Sequence, residues 1–145
     1  MFEYRFTIVF VLLMFAFPSI ANNTTIQKLI SLEKEINRDP YPTYLRLDEI
    51  RSSINLDNPK ELLWFYVRKA QAEYLLKFNE DFKRTVEEAK GLILEDSPVE
   101  IRARIFLYDG ILERILGKFE HSVIVLEKAA ELTRDQDLLE IYITA

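Results

Sequence analysis

The chain has 145 residues, 49% of them hydrophobic, no cysteine, and a net charge of −5 from 24 acidic and 19 basic side chains. That is the size of one domain with enough apolar content for a core, and it excludes disulfides, thiol chemistry and a lipid-modified cysteine. The acidic balance argues against nucleic acid, whose phosphates need a cationic face.

The first residues, MFEYRFTIVFVLLMFAFPSIANN, differ from the rest. A short head with Arg5 precedes an apolar run from Phe6 to Phe17, then Pro18, and Ser19 and Ala21 stand at −3 and −1 of a cut after Ala21. This layout predicts a secretory signal peptide over 1–21. The apolar run falls short of the roughly 20 residues of a spanning helix, and Glu3 is its one departure from a positive head. The mature chain, 22–145, is therefore expected to be exported, on the periplasmic or extracytoplasmic side of the membrane. Asn22 and Asn23 open overlapping glycosylation sequons that matter only in a eukaryotic secretory pathway.

From Thr24 onward, apolar residues recur at helical spacing and turn signals separate the segments. TTIQKLISLEKEINRD carries Ile26, Leu29, Ile30, Leu32 and Ile36 mostly on one side. Pro40 and Pro42 break it, and a helix restarts at Pro42 with Leu45, Leu47, Ile50 and Ile54. NLDNPK supplies a stop and a cap at Asp57 or Asn58. A strong helix follows in ELLWFYVRKAQAEYLLKF, then a corner at Asn79–Asp81 and a helix through DFKRTVEEAKGLILED. Ser97-Pro98 reads as cap and first turn of VEIRARIFLYDGILERIL. After Gly117-Lys118, FEHSVIVLEKAAELTRD forms another helix, and DLLEIYITA begins one more. No segment keeps strand alternation, so the fold class is all-α, with helices joined by short turns.

A shift of 40 residues superposes the segments. Tyr66 falls on Phe106, Val67 on Leu107, Ala70 on Gly110, Glu73 on Glu113, Val86 on Leu126 and Ala89 on Ala129. A mid-helix glycine costs about 1 kcal/mol relative to alanine, so small residues at Ala70 and Gly110 mark close helix approach. Ala89 and Ala129 answer them from the paired helix. Each unit is a helical hairpin whose apolar faces are buried only by its neighbours.

On these residues the chain resembles the tetratricopeptide repeat (TPR) family. Its second-helix pattern of glycine, aromatic, small, apolar, alanine and leucine is matched by Gly117, Phe119, Ser122, Leu126, Ala129 and Leu132. Gly110 takes the small position of the first helix. The unit at 97–134 matches well. In 57–96, Phe82 stands for the small residue and Lys77 for the glycine, and 24–56 is a degenerate first unit. The resemblance implies stacked antiparallel hairpins, a TPR-like α-solenoid of about three hairpins plus the start of a fourth at 136–145. Leu138, Leu139, Ile141 and Tyr142 begin that fourth unit without a cap, so the chain is expected to be the front of a longer protein.

Chemistry is sparse. His121 is the only histidine, and its neighbour Glu120 points elsewhere on a helix, so it reads as a solvated or packing residue. Glu87-Glu88 and Asp135/Asp137 read as solvated faces. No phosphate loop, GxSxG, HExxH or dinucleotide turn is present. No enzyme activity, metal or cofactor is expected within these residues.

The resemblance implies that the first helix of each hairpin lines a concave groove for a peptide or helix. The family's groove positions fall on Trp64, Val67, Gln71 and Tyr74, and on Arg104, Leu107, Ile111 and Arg114. Aromatic anchors beside two guanidiniums suit a peptide with an acidic group. On this expectation Trp64→Ala with Arg104→Ala weakens partner binding and leaves the fold intact. The partner is expected to be a protein or peptide, with membrane attachment only through a further C-terminal region. An exported array of this kind looks like the input region of bacterial diguanylate cyclases and histidine kinases. The alternatives are a stand-alone periplasmic scaffold or assembly factor, and an enzyme whose site lies beyond these residues.

Overall fold

A computed structural model describes residues 25–134. The expected signal peptide and the start of the fourth unit lie outside the described residues. All regular structure within them is helical. α1 covers 25–38 and buries Leu29, Leu32 and Ile36. Asp39 alone, in extended conformation, separates it from α2, Pro40–Arg51. Both prolines fall in the first turn of α2, where backbone N–H groups have no intrahelical acceptor to lose. The proline pair therefore opens this helix at Pro40, not Pro42. Leu45 faces solvent, and Thr43 and Leu47 take the buried positions.

α3, Pro59–Leu76, begins with a side-chain cap and a carboxylate that closes the preceding turn. The Asn58 side chain accepts from the Lys60 N–H (3.2 Å), and Glu61 reaches back to accept from the Asn55 N–H (3.0 Å). α3 is buried on nearly every side, as suits the central helix of a stack. α4, Asn79–Leu92, presents Phe82, Thr85, Val86 and Ala89 inward. α5, Val99–Ile115, starts after Pro98, and the Ser97 hydroxyl accepts from the Leu94 N–H (2.9 Å). Ser97 thus closes the preceding turn and does not cap α5. α6, Phe119–Thr133, packs along α5.

The repeat is written into the backbone. α3 and α5 start at 59 and 99, and α4 and α6 at 79 and 119, so both pairs are 40 residues apart. The turns match as well. Lys77 and Gly117 are left-handed, at φ 62° and 76°. The Phe78 N–H bonds the Glu73 carbonyl (2.9 Å), as the Lys118 N–H bonds that of Glu113 (2.8 Å). The result is a stack of helical hairpins packed against their neighbours.

Close approach at the small positions is direct. A Cβ at Gly110 would stand 2.5 Å from Leu126 Cγ, and the buried Ser122 hydroxyl donates to the Gly110 carbonyl (2.7 Å). Ala129 is buried on the same face, as are Ala70 and Ala89 in the preceding unit. There, Tyr66, Val67, Ala70, Val86, Ala89, Ile105 and Tyr108 close around one another with no room for a water molecule. Phe82 is buried, its ring 5.7 Å from Tyr74 and 6.1 Å from Tyr108. Phe119 departs from the expected packing role, because it is 66% exposed. It stands on the first turn of α6 after α5 has ended at Ile115, so its flank is uncovered.

Candidate functional site

The expected groove is covered by the chain itself. α1 lies on the inner face, and the contacts follow from helical spacing. Leu29, Glu33, Ile36 and Asn37 share one side of α1; Trp64, Arg68 and Gln71 recur at i, i+4 and i+7 on α3; Glu100 and Arg104 are one turn apart on α5.

Arg68 is the pivot. Its side chain is 0% exposed and makes four hydrogen bonds. Nε donates to the Leu29 carbonyl (2.9 Å) and Nη1 to Gln71 Oε1 (3.0 Å). Nη2 donates to the Ile30 carbonyl (3.3 Å) and to Glu33 Oε2 (3.0 Å). From α5, Arg104 grips the same carboxylate in fork geometry, Nη1 to Oε1 at 2.6 Å and Nη2 to Oε2 at 3.2 Å. Glu100 accepts from the remaining edge of Arg104 (3.2 Å), and Gln71 Nε2 donates to Asn37 Oδ1 (2.7 Å). The Trp64 ring lies under both guanidiniums, 5.1 Å from Arg68 and 6.0 Å from Arg104.

The electrostatics are those of a closed network. Burial alone would raise the Glu33 carboxyl, but Arg68 and Arg104 outweigh it and hold it below the ordinary carboxylate range. Burial lowers Arg68 despite Glu33, and for Arg104 the pull of Glu33 overcomes burial and raises it. Beside them, burial pushes the Tyr108 hydroxyl up to about 12. Each charge has its counter-charge in place, so the cluster holds helices together and is not open to an external acid.

Three of the eight expected groove residues, Trp64, Gln71 and Arg104, therefore meet around the Arg68–Glu33 pair. Val67, Leu107 and Ile111 are buried in the core. Tyr74 is half-buried against Phe82 and under Lys77 Nζ (4.8 Å), while Arg114 is exposed in the last turn of α5. The eight do not line one open surface. Arg68, Glu33 and Asn37 were missed by family positions, although an arginine inside the apolar run LLWFYVRKA is itself a signal, because a buried guanidinium requires an acid.

His121 has a partner after all. Its Nδ1 lies 3.2 Å from Glu113 Oε2, and Lys118 Nζ is 3.3 Å from the same oxygen. Among the described residues no group of three or more potential ligands is placed to hold a metal ion, and no helix is long and apolar enough to cross a membrane. Among the described residues, Ile115, Leu116, Phe119, Val123 and Ile124, at the turn joining α5 and α6 and along α6, are each between 42% and 66% exposed. Comparison of the chain with protein-family models, with curated proteins and with solved structures finds no match in any of the three.

Proposed function

We propose that this chain is an exported, TPR-like protein–protein interaction domain, the N-terminal input region of a larger membrane signalling protein such as a diguanylate cyclase. Stacked hairpins with a 40-residue period support the repeat reading, and the signal-like N-terminus supports export. The observation that carries the interaction reading is the apolar grouping from Ile115 to Ile124, because soluble domains rarely leave adjacent large apolar side chains in water without a partner. It also moves the contact surface. With the inner face sealed by Glu33, partner binding falls to the α5–α6 turn and the outer side of α6.

A photoreactive residue at position 119, introduced into the full chain in its own cells, tests this. The expected product is a discrete crosslink to an envelope protein, lost in Val123→Asp while the helical circular dichroism is unchanged. Recovery of the chain in the cytoplasmic fraction, or no crosslink above that of a photoreactive residue at exposed Glu87, overturns the reading. A crosslink to a soluble envelope protein, in a chain with no membrane span, selects the stand-alone scaffold instead.

A further inference from the structure

The 40-residue repeat places a glutamate at the end of both first helices, and the two are met differently. Glu113, at the end of α5, finds Lys118 and His121 within 3.3 Å of its Oε2. Burial would raise its carboxyl, but the hydrogen bonds from His121 and Lys118 outweigh burial and hold it below the ordinary range. The positions that correspond to Lys118 and His121 in the preceding unit are Phe78 and Asp81, one apolar and one acidic.

Glu73 therefore has no cation from its turn. It is 0% exposed, and both carboxylate oxygens are buried without a hydrogen-bond partner. Within α3, Lys69 Nζ approaches to 3.7 Å. From α4 it is faced by Asp81, Arg84 and the buried Thr85, with Asp81 and Arg84 paired to each other. From α2 it is faced by Tyr44, whose ring meets Phe78 edge-on at 5.6 Å. Asp48 of α2 also acts on Tyr44. The negative end of α3 points the same way, since the Glu73 carbonyl takes the capping N–H of Phe78.

We infer that Glu73 is a proton-binding site at the junction of α2, α3 and α4, protonated when the junction is closed, and that its ionisation loosens that junction. A neutral carboxyl has both a donor and an acceptor, and burying it costs far less than burying a carboxylate whose nearest cation, Lys69 Nζ at 3.7 Å, makes no hydrogen bond to it. Burial, with Asp81 adding to it, pushes Glu73 up to about 7 against the opposing pull of Thr85 and Lys69. The folded state therefore binds this proton more tightly than the unfolded chain, whose carboxyl titrates near 4.5. Stability from this group is complete below about 4.5 and is lost as pH rises through about 7. The fold then responds to pH in a range where its other displaced carboxylates, Glu33 and Glu113, are already ionised.

The test compares the full chain with Glu73→Gln in chemical denaturation from pH 5 to pH 8. The unfolding constant of the wild type, relative to Glu73→Gln, should rise by up to about 100-fold across that range. Hydrogen exchange should localise the loss to the end of α3 and the start of α4. A carbon-13 titration of the Glu73 carboxyl in the wild type gives a second reading that needs no variant, with an expected midpoint near 7. Parallel pH profiles for the two proteins, or a midpoint near 4.5, overturn the inference.

Discussion

Glu33 and Arg104 are 71 positions apart and share two hydrogen bonds, at 2.6 and 3.2 Å. Few contacts in a repeat stack run so far, because each unit ordinarily touches only the next. This one ties the first hairpin to the third, with Arg68 of the second hairpin holding the same carboxylate. Unfolding of the array should therefore be more cooperative than a sum of neighbouring interfaces suggests. Glu33→Ala should destabilise the chain by about 2–3 kcal/mol, because it strands a buried Arg68, and Glu33 is itself 30% exposed. Urea denaturation with a Glu33/Arg104 double-mutant cycle measures the coupling. Because the Glu33 carboxyl is held low, its contribution is present above about 4.5 and falls away as pH drops through its folded value. Glu33→Gln should accordingly flatten the acid limb of the stability profile.

Trp64→Ala should cost the fold about 3–5 kcal/mol, the range for deleting a buried aromatic. The family resemblance places Trp64 and Arg104 on an open groove and expects their removal to spare the structure. Their burial beneath α1 predicts the opposite, and thermal melting of the double variant decides between the two.

The paired turns allow a cleaner comparison. Lys77 and Gly117 hold the same left-handed backbone, and a side chain there is strained by roughly 1 kcal/mol. Lys77→Gly should stabilise by about 0.5–1 kcal/mol, less whatever the Lys77–Tyr74 contact contributes. Gly117→Ala should destabilise by a similar amount, since nothing else lies within 4 Å of the added Cβ. Equilibrium denaturation of both variants, with unchanged slopes, checks the pair.

The architecture was legible from residues whose size and backbone demands are local. Gly110 with Ser122 and Ala129, and Gly117 at its turn, mark the hairpin in the sequence itself. Lys77 carried the same turn without the residue type that announces it. The site was less legible, because periodicity says which side of a helix is apolar but not what covers it. Trp64, Arg104 and Gln71 lie on the predicted inner face, yet only tertiary placement of α1 reveals that Glu33 fills it. Phe119 shows the converse: its type suits a core, and its position beyond the end of α5 leaves it in water. The difference between Glu73 and Glu113 was readable in principle, since Phe78 and Asp81 stand where Lys118 and His121 stand one period later.

The guanidinium of Arg68 grips the carbonyls of Leu29 and Ile30 as well as the Glu33 carboxylate, all within little more than one turn of α1. Such a grip fixes both the rotation of that helix and its position along its own axis. A slip by one turn, about 5.4 Å, would break every one of these bonds together. Because Arg68 of α3 and Arg104 of α5 both hold Glu33, displacement of α1 along its axis is coupled to both helices together.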